Sequence, residues 1–182
     1  MPLKLDNVSV LVIEDLRPMR ELMVFVLTAL GFKKIFTADN GANGFQEFNK
    51  SKPDIVITDW EMEPVNGIEL IHKIRRSPKS HNKTVPIILV SGYSAKSRVI
   101  QGRDMGVTEF LTKPFTGNDL AKRIMHIINQ PRDFVLSDRF TGPDRRRRKG
   151  EEYQGPKRRS VERPKSKVSK SEPKDEWNII IE

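Results

Sequence analysis

The stretch Val8-Ser9-Val10-Leu11-Val12-Ile13-Glu14-Asp15 decides the fold. Its apolar, largely β-branched run lacks a polar face, as expected of a strand buried on both sides of a parallel sheet. It then runs directly into two carboxylates. Ile55–Ile57 and Ile87–Val90 repeat the form, the first leading into Thr58-Asp59 and the second into Ser91-Gly92. Ile35–Ala38 and Glu109–Thr112 are shorter and weaker strand patterns.

Between these runs the apolar period changes from strand-like to helical. Met19, Leu22, Met23, Val26, Leu27 and Leu30 line one helical face, with Pro18 suited to the first turn and Gly31 to the stop. Ile68, Ile71 and Ile74 repeat the pattern, and Leu120, Ile124 and Ile127 repeat it again. Ala95–Asp104 reads as a helix with a thin apolar face. Five β–α pairs at this spacing predict an α/β fold, a five-stranded parallel doubly wound sheet covered on both sides.

The chain has 182 residues, 36% apolar and 31% charged, which allows one domain of average size and an appendage. There is no cysteine, which excludes a disulfide scaffold, a thiolate metal site and thiol catalysis. Met23–Phe32, the longest mainly apolar stretch, falls short of the roughly 20 residues a bilayer requires. The N-terminus lacks the apolar core of a signal peptide, so a soluble, cytoplasmic protein is expected.

Composition changes near residue 130. Residues 131–182 carry 15 Lys+Arg against 10 Asp+Glu, with 11 apolar residues among 52. That is too little apolar surface to offset the entropy of folding as a separate domain. Residues 1–130 are therefore predicted to fold, and 131–182 to form a mostly disordered basic tail.

In sheets of this kind ligands bind beyond the carboxyl ends of the strands, where strand order reverses. The first strand ends in Glu14-Asp15, the third in Thr58-Asp59 and the fourth in Ser91-Gly92, while the fifth runs into Lys113-Pro114. Three carboxylates, a hydroxyl and an ammonium thus converge on one edge. Clustered carboxylates repel one another unless a cation sits among them. Without cysteine and with little histidine, hard oxygen ligands suit Mg²⁺. Such a set is equipped to receive a phosphoryl group, because that transfer is catalysed mainly by positioning and charge neutralisation. An aspartate can be the nucleophile.

Val10-Leu-Val-Ile-Glu-Asp15, Asp59-Trp60-Glu61-Met62 with Gly67 eight residues after Asp59, Val90-Ser91-Gly92 and Phe110-Leu-Thr-Lys-Pro-Phe115 together resemble the CheY-like receiver domain of bacterial two-component response regulators. The resemblance covers about residues 6–130 and implies a flavodoxin-like receiver fold. It implies that Asp59 accepts phosphate from a sensor histidine kinase or a histidine phosphotransfer protein. Glu14, Asp15 and Asp59, with the backbone carbonyl of Glu61, would hold Mg²⁺. Lys113 would pair with the phosphoryl group, and its bond to Pro114 would be cis. Ser91 would move to the phosphoryl oxygen and Phe110 would follow it inward, coupling charge to surface shape. Gly67 and Pro114 would be structural. Such a domain is a phosphoacceptor rather than an enzyme, with at most slow self-dephosphorylation. Glu61 and Glu63 depart from the commonest pattern, Pro64 falls one position late, and Phe110 lacks a hydroxyl.

Taken singly, these residues have plainer readings. Glu14-Asp15 and Ser91 could be helix caps, and Lys113 a surface lysine before a turn proline. Their agreement at successive strand ends favours the site. His72, His81 and His126 share no ligand spacing, and Trp60, Phe45 and Phe48 read as packing residues. A rival reading is an aspartyl-phosphate hydrolase, although Glu61 stands where such enzymes carry a second aspartate.

Two tail stretches repeat an aromatic-x-Gly-Pro-x-Arg-Arg pattern, Phe140–Arg146 and Tyr153–Arg159. Arg145, Arg146, Arg147 and Arg148, with Arg158 and Arg159, could bind nucleic acid, an acidic protein or anionic lipid, or could simply keep a linker solvated. A nucleic-acid or ribosome adaptor with a vestigial receiver is the alternative reading. Trp177 with Ile179–Ile181 forms an apolar terminal segment that could dock on a sheet edge. The downstream protein target has no signature in the sequence.

Overall fold

In the computed structural model, residues 5–92, 96–137, 140–144 and 160–162 are described, with backbone only for 96–99 and 160–162. Five strands form one parallel sheet: β1 (Ser9–Ile13), β2 (Lys34–Ala38), β3 (Ile55–Asp59), β4 (Ile87–Ser91) and β5 (Glu109–Thr112), in the order β2-β1-β3-β4-β5. The helices between and after them are α1 (Arg17–Ala29), α2 (Gly41–Ser51), α3 (Gly67–Arg76), α4 (Lys96–Asp104) and α5 (Gly117–Asn129).

Alternation along the strands builds two cores. Val10, Val12, Ile55, Ile57, Ile88 and Val90 face one way, against Met23 and Leu27 of α1 and Leu120 and Ile124 of α5. Leu11, Ile13, Val56, Ile87 and Leu89 face the other way, against Phe48 of α2 and Leu70, Ile71 and Ile74 of α3. Every residue of β1, β3 and β4 is buried, which is why those strands show no polar face. The edge strands β2 and β5 are partly exposed, hence their weaker patterns. Beneath α2, Gly44 brings the helix onto Ile13, where an added Cβ would meet three Ile13 carbons at 3.1 to 3.3 Å.

The chain does not stop folding at residue 130. Phe134–Leu136 (β6) pairs antiparallel with Thr141–Pro143 (β7) and with Ser160–Glu162 (β8), in the order β7-β6-β8. Phe134 and Val135 are buried, as are Thr141, Gly142 and Pro143. Composition averaged over 131–182 hides these short segments, whose burial comes from surfaces supplied much earlier in the chain. One such surface is Arg75, 2% exposed. Its Nε and Nη2 donate to the Gly106 carbonyl at 3.1 and 2.9 Å, its Nη1 donates to the Lys83 carbonyl at 2.9 Å, and Phe134 stacks 5.2 Å from its guanidinium carbon. Burial lowers its pKa to about 9, which leaves it charged at neutral pH. Gly106 precedes β5, so this contact lies at the amino end of the strands, opposite the carboxylates.

Candidate functional site

The strand register assembles the site. Ile13 lies beside Thr58, so Glu14 and Asp59 leave their strands as neighbours. Asp59 lies beside Val90, and Ser91 beside Thr112, the residue before Lys113. The ladder continues past the strand ends, with Trp60 N–H donating to Val90 at 2.9 Å and Lys113 N–H to Ser91 at 2.8 Å. The four chain segments are thereby locked at one height.

Glu14 is fully buried, Asp59 is 5% exposed and Asp15 is exposed. One oxygen from each of these carboxylates lies within 4.8 Å of the others, a cluster that can hold a metal ion. The Lys113 ammonium sits 3.0 Å from Glu14 Oε2 and 3.0 Å from Asp59 Oδ1. Burial pushes the pKa of both Glu14 and Asp59 up, against the pull of Lys113. For Lys113 itself, burial acts downward, but its hydrogen bonds to Glu14 and Asp59 prevail and its pKa is raised. The Lys113 ammonium thus contacts two of the three clustered carboxylates, Glu14 and Asp59.

Ser91 is buried at the end of β4, and Phe110 is partly buried in β5, packed against the α2–α3 core. The Lys113–Pro114 bond is cis, and so is Glu63–Pro64 in the loop after Asp59. Pro114 leads into Thr116, whose side chain and that of Asp119 cap α5 reciprocally. Gly67 opens α3 with its N–H donating to the Trp60 carbonyl at 3.0 Å, and Asn66 and Glu69 form the capping box there. The Glu61 side chain is exposed. His72 is exposed on α3, the His81 ring lies tilted against Phe48 with centroids 4.2 Å apart, and His126 pairs with Glu109, so none of the three reaches the cluster. Trp60, Phe48 and Phe45 pack in the core as expected.

Sequence reading missed Arg20. From α1 its guanidinium reaches back to the backbone carbonyls of Glu14 and Asp15 and fixes the loop that carries both acids. Only its place one turn into the helix after Glu14-Asp15 hinted at this. The candidates Arg145, Arg146, Arg147, Arg148, Arg158, Arg159 and Trp177 lie outside the described residues.

A parallel β2-β1-β3-β4-β5 sheet with an acidic cluster and a lysine at its carboxyl edge defines a receiver-type α/β domain. The response regulator receiver domain family matches residues 10–125, and the chain belongs to that family. Among curated relatives, the chemotaxis protein CheY-3 of Vibrio cholerae is 28% identical over 124 residues, 68% of this chain and 94% of the relative. The CheY homolog of Campylobacter jejuni is 31% identical over 121 residues, 66% and 92% of the respective chains. Among solved structures, the receiver domain of a Francisella response regulator has a TM-score of 0.59 at 26% identity, covering 65% of this chain and 94% of that one. A CheX–CheY–BeF3–Mg complex from Borrelia burgdorferi, at 23% identity and TM-score 0.61, covers 66% and 88% and shares the fold. The chain thus carries a CheY-like receiver domain of the two-component signalling class. Among the described residues, no helix is long and apolar enough to cross a membrane.

Proposed function

We propose that this chain is a response regulator that accepts a phosphoryl group on Asp59 in a Mg²⁺-dependent reaction. It then either switches its contacts with a protein partner or passes the phosphate on. One observation carries the reading: Lys113 lies 3.0 Å from Asp59 within a cluster of three carboxylates whose oxygens lie within 4.8 Å of one another. Glu14, Asp15 and Asp59, with the Glu61 carbonyl, would hold the metal. When bound, Mg²⁺ neutralises charge on the transferring phosphoryl oxygens.

An Asp59 oxygen attacks phosphorus, the P–N bond of a phosphohistidine on a kinase or phosphotransfer protein breaks, and the electron pair leaves with the imidazole. Lys113 follows the charge from carboxylate to phosphoryl oxygen, and Glu14 keeps it in place. Ser91 donates to the phosphorylated form, and Phe110 repacks in response. Self-hydrolysis of the phosphorylated form is slow at most.

The test is intact-protein mass after incubation with Mg²⁺ and acetyl phosphate. One phosphoryl adduct is expected on the parent chain and none on Asp59→Asn. No adduct on the parent, with Mg²⁺ binding also absent, would overturn the reading and shift attention to the basic segment as a nucleic-acid adaptor.

Stability gives a second prediction. Glu14 and Asp59 hold their protons more tightly folded than unfolded, because burial raises both pKa values. In chelator, the parent should therefore lose stability as pH rises from below the ordinary carboxylate range through the raised values, and Asp59→Asn should be the more stable chain at neutral pH. Saturating Mg²⁺ should reverse the order, adding about 2.7 kcal/mol to the parent at a hundred times its Kd. Thermal melts with and without metal check both; an unchanged order would refute metal binding at these carboxylates.

A further inference from the structure

We propose that strands β6 and β7 are the output element of this receiver, driven from the Phe110 switch through the turn at the end of α4. The inference rests on the reading of Phe110 as the switch. It goes beyond that reading by naming what the switch moves.

The route is short and continuous. Gly102, in α4, has no side chain where the Phe110 ring sits. An added Cβ there would lie 2.7 Å from Phe110 Cε1 and 3.3 Å from Leu89 Cδ2. The ring therefore occupies the space that Gly102 leaves, and its position sets how closely α4 lies on the sheet. The Gly102 carbonyl accepts from Val107 N–H at 3.1 Å, and the Arg103 carbonyl accepts from Gly106 N–H at 3.2 Å. That crossed pair, with Gly106 at φ +87°, is the Schellman closure of a helix end, so Gly102 and Gly106 move as one rigid turn.

Gly106 is gripped by the C-terminal strands from two directions. A Cβ on Gly142 would lie 2.6 Å from the Gly106 α-carbon, so backbone meets backbone there with no side chain between. The Gly106 carbonyl takes two bonds from Arg75, whose guanidinium stacks on Phe134 of β6. Asp144, the residue after β7, is pinned by its N–H to the Asp133 carbonyl at 2.7 Å, and Arg145–Arg148 follow it directly in sequence. A shift of Phe110 changes the seat of Gly102, tilts the turn, and moves the strands that launch the basic segment. Tightly packed contacts of this kind shift as discrete units, which is what a switch requires.

The test is amide NMR on the full chain with Mg²⁺ and acetyl phosphate. In the parent, the Ser91, Gly106, Val135 and Gly142 amides should shift together with one midpoint, and none should shift in Asp59→Asn. Gly102→Ala should displace the ring, so that Gly106 and Gly142 shift even without phosphodonor and the phosphorylation-dependent change at Gly142 falls at least twofold. Phe110→Leu, which empties the seat without adding an atom, should uncouple Gly142 in the same way. An adduct with a shifted Ser91 but unmoved Val135 and Gly142 would overturn this inference alone. Absence of any adduct would overturn it together with the receiver reading.

Discussion

Ending the chain after Gln130 should lower the unfolding free energy by about 3–5 kcal/mol, whereas ending it after Asp144 should change it by no more than about 1 kcal/mol. Phe134 and Val135 are 1% and 5% exposed, and burying side chains of this size contributes about 1.5–3 kcal/mol each. Removing them also uncovers the Arg75 guanidinium, which has its three carbonyl bonds but, among the described residues, no carboxylate partner. Water then competes for those bonds, and the tie between α3 and the α4–β5 turn weakens. Arg76, which donates to the Ser137 carbonyl at 3.2 Å, loses that partner too. Urea unfolding of the three chains followed by circular dichroism reads the difference as a change in midpoint at constant slope. Equal midpoints for chains ending at 130 and 144 would show that the C-terminal strands merely rest on the domain.

The sheet was legible because three of its strands are buried on both faces and so carry an uninterrupted apolar code. The site was legible for a related reason. In a parallel sheet the functional groups must follow the strand ends, and Glu14-Asp15, Asp59, Ser91 and Lys113 do so in register. What escaped notice depends on partners distant in sequence. Phe134 and Val135 are two apolar residues in a charged segment, and part of the surface that covers Phe134 is the Arg75 guanidinium, fifty-nine residues earlier. Arg75 reads as one of several basic residues ending a helix, since nothing local says that its head turns inward to carbonyls. Gly102 looks like a weakness in a thin helix until the Phe110 ring is seen in its place.

Replacing Gly67 with alanine should cost about 3 kcal/mol and slow phosphorylation of Asp59 by about a hundredfold. An alanine early in a helix ordinarily stabilises it relative to glycine, so propensity predicts the opposite sign. Packing decides here. A Cβ on Gly67 would overlap the Asp59 carbonyl oxygen and lie 3.0 Å from its carbon and 3.2 Å from the Trp60 α-carbon. All three atoms are backbone, so no flexible tip can step aside. Relief requires moving either α3, whose Leu70, Ile71 and Ile74 are completely buried, or the end of β3 that carries Asp59. Both halves of the expected result follow from that choice: the core loses packing, or Asp59 leaves its place beside Lys113. Gly92→Ala is the matched control, because among the described residues a Cβ there meets nothing within 4 Å although the residue adjoins Ser91. It should leave the midpoint within about 0.5 kcal/mol of the parent. Denaturation midpoints and the rate of adduct formation by mass, measured on both variants, separate the explanations. If Gly67→Ala melted and phosphorylated like Gly92→Ala, the close approach of α3 to the Asp59 backbone would not be what holds Asp59 in place.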